Sequence, residues 1–69
     1  MLSATAIGQT IKTLREKRNM TREAFCSEVG ITVSALSNYE NGIRIPRDEV
    51  KLRIARCLGT SIESIFFEE

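Results

Sequence analysis

The sequence predicts an all-α fold, a five-helix domain built from short helices, and three observations carry that prediction. Apolar residues recur at spacings of three and four along most of the chain, the period of a helix with one buried face. Twice in succession a hydrophobic residue precedes a threonine and is answered by another hydrophobic residue five positions on, as in Met20, Thr21, Phe25 and in Ile31, Thr32, Leu36. This is the pattern of an N-cap with a hydrophobic staple, and it marks two helix starts. Only Gly30, Ile31 and Thr32 separate the two helices so defined, which must therefore turn sharply on each other.

The elements follow in order. Ile7, Ile11 and Leu14 share one face of a first helix over about 5–18, with Ser3 or Thr5 as its N-cap and Asn19, which tolerates the left-handed conformation, at its end. A second helix over about 22–29 buries Phe25, Cys26 and Val29, carries Glu23 near its positive end and exits through Gly30. A third over about 33–41 buries Leu36 and Tyr39 and closes at Asn41-Gly42. Residues Ile43 to Pro46 read as extended, because the residue before a proline is pushed out of the helical region. Val50, Ile54 and Leu58 then repeat every four residues in a fourth helix over about 47–58, with Asp48 and Glu49 in its first turn and Gly59 at its end. Ser61 caps a last short helix over about 62–67 that carries Ile62, Ile65 and Phe66. No repeat or low-complexity stretch interrupts the series, so residues 1–69 read as a single domain.

Composition sets bounds on what this domain does. At 42% hydrophobic and 28% charged residues the chain has what a folded core needs. No stretch approaches the roughly 20 apolar residues that span a bilayer, and no basic-then-apolar leader opens the sequence, so a cytoplasmic location with no membrane contact is expected. With no histidine and cysteines only at 26 and 57, neither a zinc-ligand set nor a Cys-x-x-Cys redox pair can be built; metal and cofactors are expected to be none, and both cysteines read as reduced, buried small hydrophobes. There is no Gly-rich phosphate loop and no nucleophile with a base in reach, so an enzyme is not expected. Ten basic and nine acidic residues give a net charge of +1, unevenly spread. Lys12, Arg15, Lys17, Arg18 and Arg22 are opposed only by Glu16 within 11–22, whereas Glu63, Glu68 and Glu69 load the C-terminus. On charge alone this reads as a solvated surface of mixed sign sooner than as a nucleic-acid footprint.

The third helix is more telling. If Leu36 and Tyr39 point inward, Val33, Ser34, Ser37 and Asn38 point outward, and none is charged or long. Small polar and aliphatic side chains can approach base edges closely: Asn pairs bidentately with adenine and Val meets a thymine methyl. Two helices joined by a glycine-bearing three-residue turn, the second held out on the first, is the physical requirement for reading the major groove.

The run from Thr21 through Gly30 to Gly42 resembles the helix-turn-helix of the Cro and lambda-repressor-like (XRE) family of transcriptional regulators, and Pro46 with the stretch Arg53 to Phe66 looks like that family's fourth and fifth helices. The resemblance covers residues 7 to 66. It implies a lambda-repressor-like domain that binds double-stranded DNA as a homodimer on a palindromic operator, as a repressor. It implies that Val33, Ser34, Ser37 and Asn38 face the bases, and that Arg22, Asn41, Arg44 and Arg47 reach phosphates. It also implies an Arg15–Glu40 salt bridge, valued here as a surface pair worth well under about 1 kcal/mol and acting through orientation. Ile62 and Phe67 are the candidates for a dimer contact, although Phe67 could equally fold back on its own domain. The other reading is an antitoxin or similar protein-interaction module, with a toxin as partner and autoregulatory DNA binding as a secondary property. Three positions depart from the family's pattern: Arg22 and Val33 stand where many members carry Gln, and Cys26 stands where Ala is usual.

Overall fold

In the computed structural model, which describes residues 1–68, the chain forms α1 (Ala4–Lys17), α2 (Arg22–Val29), α3 (Val33–Glu40), α4 (Asp48–Leu58) and a closing π-helix (Glu63–Phe67). Glu69, counted above among the C-terminal acids, lies outside the described residues. Among those residues there is no strand, and the five helices wrap one core. Ile7 and Ile11 of α1, Phe25 of α2, Leu36 of α3, Ile54 of α4 and Ile65 and Phe66 of the closing segment are all fully buried.

Local chemistry accounts for the helix ends. Ser3, rather than Thr5, caps α1, its Oγ accepting from the Ala6 N–H at 3.1 Å. Asn19 takes the positive φ (56°) that turns the chain out of α1. Thr21 accepts from Ala24 N–H at 3.1 Å and Thr32 from Ala35 N–H at 3.0 Å, while Met20 and Ile31 before them pack on the core. Gly30, at φ 80°, lets α2 stop and α3 begin within three residues. Arg47 is extended in the capping position of α4, so that helix begins at Asp48.

Two features have no counterpart in the periodicity. The closing segment is wound as a π-helix, with Glu68 N–H donating to Glu63 C=O at 2.8 Å, five residues back, where an ordinary short helix was expected. Its adjacent residues Ile65 and Phe66 both enter the core, and Phe66 C=O accepts from Leu2 N–H at 2.8 Å, which ties down the N-terminus. Lys51 is buried on α4 despite its charge: its Nζ lies 3.5 Å from Asp48 Oδ1 and 5.7 and 5.4 Å from the ring centroids of Phe66 and Phe67. Phe67 thus covers Lys51 with one face while remaining 46% exposed.

Both cysteines are buried free thiols. Cys26 donates to Thr32 C=O at 3.5 Å, so its sulfur reaches the residue that caps α3. Burial, with Glu40 and Glu23 adding to it, pushes the Cys26 thiol up; burial and then Glu28 push Cys57 up to about 12. At pH 8, a thiol at about 12 holds on the order of a thousandfold less thiolate than one at about 9. Alkylation by iodoacetamide at that pH should therefore wait on unfolding, and mass spectrometry showing rapid labelling of Cys57 in the folded protein would contradict this burial. Because the fold favours the neutral thiol, its stabilising effect is complete below about 9 and is lost as pH rises towards 12.

Candidate nucleic-acid interface

The turn between α2 and α3 leaves α3 with one side against the core and one side open. Leu36, Tyr39 and Glu40 are its buried residues. Val33 is 41% exposed and Ser34 is exposed, while Ser37 and Asn38 are half-buried, so the strip singled out from the sequence is open at the first turn of α3 and partly covered at the second. Asn41, the C-cap of α3, donates from Nδ2 to Ser37 Oγ at 3.3 Å. The Asn38 carbonyl accepts from Ile43 N–H at 2.9 Å and Arg44 N–H at 3.3 Å, which folds the linker onto the end of α3 and sets Arg44 beside the strip.

What holds α3 in place is a buried ion pair. Arg15 Nε donates to Glu40 Oε2 at 2.7 Å and Nη2 to Oε1 at 3.3 Å, while Nη1 donates to Met20 C=O at 2.8 Å. One guanidinium thereby joins α1, the α1–α2 linker and the end of α3. The hydrogen bond to Glu40 raises the Arg15 pKa above its ordinary value even against burial. The two side chains are only 7% and 3% exposed, which corrects the expectation of a surface pair. In a dry setting, removing either partner strands the other charge.

The basic residues around α3 differ in their engagement. Arg22, at the start of α2, has its Nε 3.6 Å from Glu40 Oε1 with half of its side chain exposed. Glu40 is already gripped through both oxygens by Arg15, which leaves Arg22 the weaker share of the carboxylate. Arg47 pairs with Glu49 at 3.1 Å on the open surface, and Arg44 is exposed with no ion-pair partner among the described residues.

Gly8 was not singled out from the sequence, yet it sets the distance between α1 and α3. A Cβ built there would lie 2.6 Å from the Glu40 carbonyl oxygen and closer still to that of Tyr39, so the end of α3 rests directly on the backbone of α1. The available signal was a glycine inside an otherwise helical pattern, at a cost in propensity that calls for a packing reason.

Among the described residues, no group of three or more His, Cys, Asp and Glu could hold a metal ion, and no helix is long and apolar enough to cross a membrane. The fold and its projecting α3 define a helix-turn-helix regulatory domain. The family model described as helix-turn-helix matches residues 11–65, most of the chain, and the protein belongs to that family, in keeping with its likeness to the Cro-like regulators. A search of curated proteins gives no match.

Proposed function

We propose that this domain is a sequence-specific repressor that places α3 in the major groove of double-stranded DNA and binds a palindromic operator as a homodimer. The observation that carries this reading is the uncharged strip of Val33, Ser34, Ser37 and Asn38, exposed at its first two residues and half-buried at the other two, on a helix whose other side is locked by a buried ion pair. A merely solvated helix is better served by Lys and Glu, whereas small polar groups on a rigid support suit contact with base edges. Asn38 pairs with an adenine and Val33 meets a thymine methyl. Arg22, Asn41, Arg44 and Arg47 surround the strip and bind phosphates, fixing its register on the duplex.

A single module touches few bases, and two copies with recognition helices about 34 Å apart reach successive major grooves on one face of the duplex. Leu52 (45% exposed), Phe67 (46%) and half-buried Ile62, together with the Asp48–Lys51 pair, line a cleft of about 300 Å³ whose apolar side suits a symmetric contact.

The test is selection of bound sites from random duplexes, with inverted-repeat half-sites as the expected product. On the selected site Asn38→Ala should cost roughly 1–3 kcal/mol and relax one base position, while Arg22→Ala should weaken all sequences alike and flatten the salt dependence. Identical responses to the two changes would overturn the division between base readers and phosphate binders.

A further inference from the structure

Beside α3, on the flank carrying Ala35 and Tyr39, an open cleft of about 350 Å³ lies between the α2–α3 turn, the linker and α4. Its charged lining consists of three guanidinium groups, Arg44, Arg47 and Arg53, with no acid among them. Arg47 is shared with Glu49, but among the described residues neither Arg44 nor Arg53 has an ion-pair partner. Glu28 shares a neighbouring cleft with Arg53 and Arg56 and pairs with neither. Cations gathered around one concavity repel each other and raise the local potential, which an anionic partner relieves. Arg22 stands on the other flank, held to Glu40, which at 3.6 residues per turn is about 140° around α3 from Ala35.

A helix lodged in the major groove has a phosphate backbone on each side. We infer that Arg53 is a further phosphate-binding residue, which with Arg44 clasps a DNA phosphodiester in this cleft and so engages the strand across the groove from Arg22. This rests on the reading of α3 as the groove-binding helix, and extends the contact surface from the linker onto the second turn of α4, six residues beyond Arg47.

The experiment measures binding to a random-sequence duplex pool by fluorescence anisotropy from about 50 to 200 mM salt, since a backbone contact needs no particular sequence. Losing one phosphate contact lowers the slope of log affinity against log salt by about 0.9, so over this fourfold rise Arg53→Gln should lose about 3.5-fold less affinity than the wild type. Arg53→Lys, which keeps the charge, should retain the wild-type slope. Arg56→Gln removes the same charge from an exposed position on α4 outside this cleft and should leave the slope unchanged. An unaltered slope in Arg53→Gln, or an equal fall in Arg56→Gln, would overturn the assignment of Arg53 while leaving the DNA-binding reading intact. Wild-type protein that binds no duplex at any of these salt concentrations would overturn both.

Discussion

Replacing Glu40 with alanine is expected to lower the unfolding free energy by about 3–5 kcal/mol, the usual cost of stranding one partner of a buried pair. For a chain of this length total stability is of the order of 3–10 kcal/mol, so much of the population should unfold near room temperature. The reason is geometric: Arg15, only 7% exposed at its side chain, would keep a single acceptor, the Met20 carbonyl, for a guanidinium that now has three hydrogen bonds. Urea denaturation followed by circular dichroism measures the loss. The double replacement Arg15→Met with Glu40→Leu removes both charges and should recover most of it, because apolar residues of similar size can occupy such a site without the desolvation cost. A loss below about 1 kcal/mol in Glu40→Ala would place the pair in the class of surface bridges and sink this account.

Gly8→Ala sets two effects against each other. Helix propensity alone predicts that the variant is more stable by about 1 kcal/mol, since alanine is the better residue inside a helix. Packing predicts the reverse. The new methyl would meet the carbonyls of Tyr39 and Glu40, which are main-chain atoms and cannot swing aside, so α3 would have to move off α1. Overpacking of this kind costs about 1–3 kcal/mol, and with rigid backbone on both sides the upper end is expected. The displacement would also disturb Glu40 in its grip on Arg15. Gln9→Ala, on an exposed position of the same helix, should stay within about 0.5 kcal/mol and serves as the reference. Thermal unfolding that showed Gly8→Ala more stable than the wild type would mean that α1 and α3 are not in the close contact described.

How much could be read from the chain depended on how far each signal reaches. Thr21, Thr32, Gly30 and the stapling residues Met20 and Ile31 act within a few positions of themselves, so the sharp turn between α2 and α3 was visible in the string of residues. The outward strip of α3 was equally legible, because a helix with Leu36 and Tyr39 inside leaves Ser34 little choice of side. Lys51 and Arg53 were not. One is buried over the rings of Phe66 and Phe67, the other lines a cationic cleft, and nothing in their neighbours within α4 distinguishes them from solvated residues. The π-winding of Glu63–Phe67 also escaped notice, since five residues hold too few apolar positions to separate one helical period from another.

Sequence alone determined that this protein is helical, that Thr21 and Thr32 begin two helices joined by a tight turn, and that the second of them carries an uncharged outward strip, because caps, turns and periodicity are local chemistry. Tertiary structure decided how that helix is held: by Arg15 reaching across 25 residues to Glu40 in a site shielded from water, and by Gly8 admitting the carbonyls of Tyr39 and Glu40. Burial of a charge and contact between two backbones depend on what else arrives at the same place, and that is settled only when the whole chain has packed.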